Sequence, residues 1–219
     1  MSTLNCKAIL FDLDGTLIES TFYIEKLWQN WGVRHGITPQ RMSDVMHGRR
    51  AVEIVGIVAP HLSIQDEVYA LETNEISGME GMRSYPGAKE LLNSLPRRQW
   101  AIVTSGSTRV ASARLNYANL PTPDVFITAD QVSAGKPAPD AFLLAARQLN
   151  VKPSDCIVFE DTPAGIQAAK AGGMKAIGIA STHPKEALKL SDVVVQQLAD
   201  VKVLIRGADI DIQYDIRCI

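Results

Sequence analysis

The sequence has few cysteines, no long hydrophobic run and almost no net charge. Its 219 residues carry 22 lysine and arginine side chains against 24 aspartate and glutamate side chains, for a net charge of -2. Proteins that bind nucleic acid usually carry a surplus of basic residues, so this balance gives no support to a nucleic-acid partner. No apolar run approaches the roughly 20 residues that a helix needs to cross a bilayer, so we expect no membrane association.

The three cysteines, Cys6, Cys156 and Cys218, are far apart in the chain and form no CxxC pair. Two of them lie beside apolar stretches with the character of strands, where reduced thiols pack as small hydrophobic side chains. The first ten residues, MSTLNCKAIL, lack the apolar segment and cleavage pattern of a signal peptide. We therefore expect a protein of a reducing compartment, the cytoplasm, and we expect it to act as a monomer.

Short apolar runs alternate with segments of helical period along most of the chain. The runs are continuous, which is typical of strands in a parallel sheet that helices cover on both faces. The predicted strands are KAILF from Lys7, WAIVT from Trp100, DVFIT from Asp124, CIVFE from Cys156, KAIGI from Lys175 and DVVV from Asp192. The predicted helices are GAKELLNSL after Pro86, RVASARLNYA from Arg109, PDAFLLAARQL from Pro139 and PAGIQAAKA from Pro163. This order predicts a doubly wound α/β fold with a parallel sheet.

The stretch from residue 17 to residue 82 breaks this alternation, because it contains no convincing strand. Large apolar side chains recur there at roughly helical spacing: Phe22, Leu27, Trp28 and Trp31. The stretch is too long for a simple crossover, so these side chains are expected to form the core of a separate helical domain. We predict an inserted all-α bundle at residues 17–82 and an α/β core at residues 1–16 and 83–219. A terminal β-hairpin is predicted around the glycine-containing turn that follows Val201.

Polar side chains follow four of the predicted strands at the point where each strand ends. In chain order they are Asp12 and Asp14, then Thr104 to Ser107, then Lys136 in the loop GKPAPD, then Glu160 and Asp161. Because the carboxyl ends of parallel strands meet at one edge of a sheet, we expect these groups to share one crevice. Carboxylates suit a hard divalent cation such as Mg²⁺, and lysine and hydroxyl donors neutralise phosphate oxygens. The sequence therefore predicts a site for Mg²⁺ and a phosphate group.

Each of these groups also has an ordinary structural interpretation. The DLDG segment from Asp12 can form a turn, the TSGS segment from Thr104 can cap a helix, and Lys136 can be a solvated loop residue. Glu160 and Asp161 can cap the helix that follows them. We favour a common site because the alternative requires four coincidences at successive strand ends. Two carboxylates so close together would also raise each other's pKa, a cost that a bound cation would offset.

The segments FDLDGT, VTSGS, GKPAPD and FEDTPAGIQAAKAGG resemble, in this order, the four motifs of the haloacid dehalogenase (HAD) superfamily. They are most similar to those of the sugar-phosphatase and β-phosphoglucomutase branch, and the helical insertion lies where that branch carries its cap domain. The resemblance covers the whole α/β core. It implies a Rossmann-like HAD core with a helical cap, and a Mg²⁺-dependent enzyme that hydrolyses small phosphate monoesters.

The resemblance also implies roles for individual residues. Asp12 would be the nucleophile that becomes an aspartyl phosphate, and Asp14 would be the general acid and base. Lys136 would neutralise the transferring phosphoryl group. Asp12, Asp14 through its backbone carbonyl, and Asp161 with Glu160 beside it would hold Mg²⁺.

Phosphate and substrate binding are implied for two further segments. Ser105 and Gly106 match the phosphate-binding step of the second motif, with Thr104 as the alternative one residue earlier. The segment MHGRRAVE matches the position of the specificity loop in the cap. Its hydrogen-bond donors can contact substrate hydroxyls or a second anionic group, or can form a solvated basic turn: His47, Arg49 and Arg50.

Individual residues also help to choose between a phosphatase and other activities of the superfamily. True dehalogenases of the superfamily lack the second aspartate, so Asp14 favours a phosphate ester as substrate. Phosphomutases of this branch carry a histidine early in the first cap helix, where this chain has Ile24, and its nearest histidine is His35. We therefore predict hydrolysis of sugar phosphates, with hexose phosphates as the expected class. A phosphomutase and, more remotely, a receiver-like binding module regulated by phosphate are the alternatives.

Overall fold

The computed structural model describes residues 2–214 of the chain. The strands are β1 (Ser2–Cys6), β2 (Ala8–Phe11), β3 (Ile18–Glu19), β4 (Arg83–Ser84), β5 (Trp100–Val103), β6 (Phe126–Ile127), β7 (Cys156–Glu160), β8 (Lys175–Ile179), β9 (Val193–Val195), β10 (Val201–Arg206) and β11 (Asp209–Tyr214). The α-helices are α1 (Thr21–Arg34), α2 (Pro39–Met46), α3 (Ala51–Val58), α4 (Ile64–Ser77), α5 (Ala88–Ser94), α6 (Thr108–Tyr117), α7 (Asp140–Gln148) and α8 (Pro163–Ala171).

A parallel sheet of six strands forms the centre of the molecule, in the spatial order β6-β5-β2-β7-β8-β9. Every neighbouring pair in it is parallel, and β2, β5 and β7 are buried along their whole length. Successive residues of β2 face two different hydrophobic clusters, one packed against α5 and α6 and the other against α7 and α8. The six predicted strands and the doubly wound α/β fold are confirmed, because each continuous apolar run lies between helices on both faces.

Side-chain capping fixes where the helices next to the strand ends begin. The Oγ1 atom of Thr162 accepts a hydrogen bond from the backbone N–H of Gly165 (3.1 Å), and Pro163 occupies the first position of α8. Ser107 caps α6 in the same way, through the N–H of Val110 (3.4 Å). Both helices therefore start directly after a strand end and point their N-termini towards the same edge of the sheet.

A second, antiparallel sheet has the order β1-β11-β10. The predicted terminal hairpin is confirmed as β10 and β11, but the strand β1 was not expected, because its partner β11 is at the other end of the described chain. The cysteines of the described residues, Cys6 and Cys156, are buried and reduced, as expected. Residues 215–219, with Cys218, lie outside the described residues. Between residues 2 and 214 no helix is both long and apolar enough to cross a membrane.

Helices α1 to α4 form the insertion, which has its own hydrophobic cluster around Trp28 and Trp31. The prediction that Phe22 belongs to this core is wrong, because Phe22 is 67% exposed. The prediction that residues 17–82 contain no strand is also wrong, because the short strand β3 pairs with β4 where the chain enters and leaves the insertion. The segments that lead into and out of the insertion lie side by side, so two residues of each can pair although neither segment has a strand-like sequence. The domain boundaries at residues 17 and 82 stay predictions.

Candidate active site

The predicted site residues converge at the carboxyl edge of the parallel sheet, beneath the helical insertion. A cavity of about 130 Å³ lies there between the two parts of the molecule. Eight of the predicted residues line it: Asp12, Asp14, Arg49, Thr104, Ser105, Gly106, Lys136 and Glu160. Asp161 and His47 line a smaller adjoining cavity of about 70 Å³, which Asp14 also lines. Arg50 lines neither of these two cavities.

Lys136 is the central cation of the site, with only 4% of its surface exposed. Its Nζ atom donates hydrogen bonds to Asp12 Oδ1 and to Glu160 Oε1, the latter at 2.5 Å. Burial raises the pKa of Asp12 well above that of an ordinary carboxyl; Lys136 opposes this shift, and Glu160 and Asp161 reinforce it. Burial by itself would lower the pKa of Lys136, but the carboxylates of Asp12 and Glu160 outweigh burial and raise it. Lys136 is therefore held as a cation beside Asp12.

Glu160 has protein donors on both carboxylate oxygens. Its Oε1 atom accepts from Lys136, and its Oε2 atom accepts from the backbone N–H (2.7 Å) and the hydroxyl (2.9 Å) of Thr162. Any side chain at Gly165 would collide with this carboxylate, so the glycine keeps the N-terminus of α8 close to it. Glu160 thus anchors Lys136 to α8, and Oε1, which accepts one hydrogen bond, is the oxygen with a lone pair left for the metal role that the resemblance implies.

Asp161 is held on the opposite side of the strand end by two hydroxyl groups. Thr182 Oγ1 donates to its Oδ2 atom, and Thr16 Oγ1 donates to its Oδ1 atom at 3.3 Å. Burial and then the neighbouring charge of Glu160 raise the pKa of Asp161 to about 8. Gly15, which has a φ of +85°, passes so close to this carboxylate that a Cβ atom there would overlap it.

The donor atoms at this edge of the sheet fit a magnesium ion. Asp12 and Asp161 are both buried carboxylates whose pKa values burial has raised, so a cation between them would lower the cost of ionising them. The resemblance adds the backbone carbonyl of Asp14 to these two carboxylates, and hard oxygen donors of this kind are the ligands that Mg²⁺ prefers, with water completing its coordination. Within residues 2–214 no three His, Cys, Asp or Glu side chains cluster as a metal site. The fit therefore rests on two carboxylates and one carbonyl.

Asp14 is fixed by two partners that the sequence did not indicate. Ser20 Oγ donates to its Oδ1 atom at 2.6 Å, and Arg114 Nη1 donates to its Oδ2 atom at 2.5 Å. Arg114 in turn donates through Nε to Glu75 Oε1 at 2.6 Å. A signal for Arg114 was present, since its charge falls in α6 at a position whose helical neighbours, such as Val110, are buried.

The TSGS segment places its polar atoms at the cavity wall. Thr104 Oγ1 accepts a hydrogen bond from the backbone N–H of Gly106 at 3.0 Å, and its side chain is buried. Ser105 Oγ donates to the backbone carbonyl of Gly48 in the insertion, at 2.8 Å. Both hydroxyls line the cavity and both have protein partners, so the choice between Thr104 and Ser105 as phosphate ligand stays open.

The two arginines of the predicted specificity loop have different surroundings. The Arg50 guanidinium donates to the backbone carbonyls of Val132 and Ser133, each at 2.8 Å, and to Glu53 Oε1 at 2.6 Å. Arg50 therefore ties the insertion to the core loop before Lys136. Arg49 instead lines the large cavity. Of the two, Arg49 is placed to contact a substrate.

His47 lies beside the smaller cavity, among charged and aromatic neighbours. Its Nε2 atom is 3.6 Å from Glu25 Oε1, and its ring packs edge-on against that of His183 at 5.6 Å. Burial and then the nearby His47 lower the pKa of His183. His47 contacts the core at this edge of the insertion, on the side of Asp161.

The wall of the large cavity that faces away from the sheet is mainly apolar. It is formed by side chains of the insertion: Ile24, Leu27, Trp28, Met46, Ile54 and Leu71. Two carboxylates of α4, Glu72 and Glu75, complete this wall. The cavity thus has a charged floor on the core and an apolar and acidic roof on the insertion.

Comparison with known proteins shows the family to which the chain belongs. Residues 6–173 match the family described as haloacid dehalogenase-like hydrolase. The chain is 40% identical over 205 residues to hexitol phosphatase A of Escherichia coli strain K12, covering 91% of this chain and 95% of the relative. It is 35% identical to glycerol-1-phosphate phosphohydrolase 2 of Saccharomyces cerevisiae, and the match covers 92% of this chain and 86% of the relative. Among solved structures, CbbY of Rhodobacter sphaeroides in complex with phosphate has a TM-score of 0.75 at 25% identity, covering 89% and 96%. The chain belongs to the haloacid dehalogenase-like hydrolase family.

Proposed function

We propose that this protein is a Mg²⁺-dependent phosphatase that hydrolyses the monophosphates of small sugars and polyols through an aspartyl phosphate on Asp12. The observation that carries the proposal is the arrangement of Asp12, Asp14 and Lys136 around the cavity of about 130 Å³ that the helical insertion covers. Relatives that are named as phosphatases of hexitol and glycerol phosphates support the reaction type. We place the enzyme in the cytoplasm and propose that it acts as a monomer.

The proposed reaction has two steps that use the same side chains. Asp12 attacks phosphorus and forms a new P–O bond while the ester P–O bond breaks, and Asp14 gives its proton to the departing oxygen. Water then attacks the aspartyl phosphate, Asp14 takes a proton from this water, and phosphate is released. Lys136, held by Glu160, balances the negative charge of Asp12 and of the phosphoryl oxygens in both steps.

The bound metal would be held by Asp12, the backbone carbonyl of Asp14 and Asp161. Mg²⁺ supplies charge neutralisation at the phosphoryl oxygens when it is bound. The chain's own contribution at this position is the pair of hydroxyls from Thr16 and Thr182, which keep the Asp161 carboxylate at the strand end.

The roof of the cavity supports a small, uncharged leaving group. Its apolar side chains suit the carbon chain of a sugar or polyol, and its carboxylates, Glu72 and Glu75, are paired with Arg109 and Arg114. Arg49 is the basic side chain that the insertion contributes to this cavity, and it can donate hydrogen bonds to hydroxyl groups. Ile24, at the place where the related mutases carry a histidine, is part of the apolar wall. This favours water over a second sugar as the acceptor.

The experiment is a panel of phosphate monoesters assayed for phosphate release, with Mg²⁺ and with EDTA. The panel contains sorbitol 6-phosphate, glycerol 1-phosphate, 2-deoxyglucose 6-phosphate, β-glucose 1-phosphate and nucleoside monophosphates, with Asp12→Asn as the control. The proposal predicts metal-dependent release concentrated on the sugar and polyol esters. Conversion of β-glucose 1-phosphate to its 6-phosphate isomer would favour the mutase. A stable phosphorylated Asp12 without turnover would favour the receiver-like module.

A further inference from the structure

Arg114 joins Asp14 to the helical insertion. It lies in α6 of the core, has only 6% of its surface exposed, and lines the large cavity. Its Nη1 atom donates to Asp14 Oδ2 at 2.5 Å, and its Nε atom donates to Glu75 Oε1 at 2.6 Å. Glu75 belongs to α4 of the insertion and is itself buried. One guanidinium group thus bridges two carboxylates from the two parts of the molecule.

Stability alone is a weak reason for such a bridge. Burying a cation between two carboxylates costs desolvation energy that the ion pairs only about repay, and apolar side chains of similar volume often pack as stably. Burial raises the pKa of Glu75, which is the direction that this desolvation dictates. A planar guanidinium with several fixed donors does, however, hold two carboxylates in a defined relative orientation. This property points to a geometric role.

Asp14 is constrained from two sides by these contacts. Ser20 Oγ holds its Oδ1 atom and Arg114 Nη1 holds its Oδ2 atom, so the carboxylate plane cannot rotate freely. Each carboxylate oxygen has a second lone pair, so both contacts leave Asp14 able to exchange a proton with a group in the cavity. Glu75 of the insertion holds the other side of the same guanidinium, so the position of Arg114 against Asp14 is also set by a residue of the insertion as it lies over the core here.

We propose that Arg114, held by Glu75 of the insertion, is a positioning residue that orients the Asp14 carboxylate for proton transfer to the leaving oxygen. The inference rests on the proposed function, because it takes Asp14 to be the proton donor. Asp14 is then correctly oriented when the insertion covers the cavity, and less well oriented when it does not. Proton transfer in the first step moves one proton from the Asp14 carboxyl to the ester oxygen as the P–O bond breaks.

A second bridge between the same two helices provides a matched control. Arg109 of α6 lies 3.6 Å from Glu72 Oε2 of α4 and donates to Thr73 Oγ1 at 3.0 Å. Its guanidinium also stacks over the ring of Tyr69, at 4.7 Å from the ring centroid. This bridge attaches the insertion to the core without touching Asp14. Arg109→Lys therefore reports what weaker attachment alone does to the enzyme.

The test compares two esters of nearly the same shape, phenyl phosphate and p-nitrophenyl phosphate. Phenolate is a strong base that needs a proton as it leaves, whereas p-nitrophenolate is a much weaker base and needs little help. The variants are Arg114→Lys, Glu75→Gln and Arg109→Lys, and the quantity compared is kcat/KM, which reports the phosphoryl-transfer step. We expect Arg114→Lys to lower kcat/KM for phenyl phosphate about 100-fold, the lower end of what general acid catalysis contributes. For p-nitrophenyl phosphate we expect a change within about threefold.

Glu75→Gln should show the same selective loss at a smaller scale, about tenfold on phenyl phosphate, because Arg114 keeps one partner. Arg109→Lys should leave the ratio of the two kcat/KM values at its wild-type value. Should Arg114→Lys fail to fold, as judged by thermal unfolding, the ratio of the two kcat/KM values in Glu75→Gln decides whether the proposal stands. Equal losses of kcat/KM on both esters would overturn the proposal and leave the phosphatase function intact. So would a wild-type ratio of the two kcat/KM values in both Arg114→Lys and Glu75→Gln. A wild-type enzyme that cleaves neither of these esters nor any sugar or polyol phosphate of the panel would overturn the phosphatase function itself, and the orienting role with it.

Discussion

Removing the charge of Lys136 is the most informative perturbation of the site's electrostatics. Lys136 is buried, and its ammonium group is the shared partner of Asp12 and Glu160. In Lys136→Met the side chain keeps most of its volume and can still pack against the ring of Phe142, which lies 5.2 Å from Nζ. The substitution therefore removes the cation while leaving little cavity behind.

The expected cost follows from what the two carboxylates lose. Removing one partner of a buried ion pair typically destabilises a protein by about 3–5 kcal/mol, because the remaining charge is left without compensation. Two carboxylates are affected here, but Glu160 keeps its hydrogen bonds from Thr162, so we expect a value within this range, about 4 kcal/mol at pH 8. The folded variant escapes part of the cost by taking up protons. Its stability should therefore fall as the pH rises from 5 to 8.

The assay is urea denaturation in EDTA at pH 5 and at pH 8, for the wild type, Lys136→Met and two controls. Lys170→Met removes a half-exposed cation paired with Asp192 at 2.8 Å, and it should cost about 1 kcal/mol or less. The double variant Lys136→Met/Glu160→Gln removes the charge of Glu160, one of the two carboxylates left without a cation. Part of the lost stability should therefore return. A cost below about 1 kcal/mol that does not change with pH would refute the view that Lys136 compensates buried charge.

Three further outcomes follow from the site. Arg49→Ala should change kcat/KM among sugar and polyol phosphates by about tenfold while changing p-nitrophenyl phosphate hydrolysis little, and equal losses would mean that Arg49 is structural. Because burial raises the pKa of Asp161 from 3.8 to about 8, the metal-free protein should lose stability as the pH rises across this window. Mg²⁺ should accordingly raise the melting temperature more at pH 8 than at pH 5, and a larger shift at pH 5 would contradict the assignment. Burial raises the pKa of the Cys6 and Cys156 thiols to about 12, so iodoacetamide at pH 8 should modify them only after denaturation, as peptide mass spectrometry would show.

The central sheet and the motif residues could be predicted because both depend on local sequence. Continuous apolar runs such as CIVFE specify strands buried on both faces, and the strand end then fixes where the next polar residue lies. Asp12, Thr104 and Asp161 each follow a strand directly, so parallel pairing alone brings them to one edge. Lys136 is further from its strand, in the loop GKPAPD, and the same argument from parallel strand ends predicted that it would share this crevice.

The missed features all depend on contacts between distant segments. Strand β1 exists because β11 offers it an edge, and nothing in residues 2–6 indicates a partner at residues 210–214. The pairing of β3 with β4 likewise reflects where the insertion begins and ends. The sequence shows Arg114 only as a charge on the buried face of α6, and tertiary packing brings it against Asp14 on one side and Glu75 of α4 on the other. For Arg50 the sequence left open a substrate contact or a solvated basic turn, and the donors of its guanidinium reach core carbonyls whose position no local pattern specifies.

The central claim is that Asp12 carries the phosphoryl group between the two steps. The direct measurement is an acid quench of wild-type enzyme within milliseconds of mixing with radiolabelled glycerol 1-phosphate, followed by peptide mapping. The account predicts a base-labile label on the peptide that contains Asp12, formed before free phosphate and lost as phosphate is released. In Asp12→Asn the label should be absent and turnover should fall below about one hundredth of the wild-type rate, since the nucleophile is gone. Phosphate release without any labelled enzyme, or with full activity in Asp12→Asn, would contradict the account.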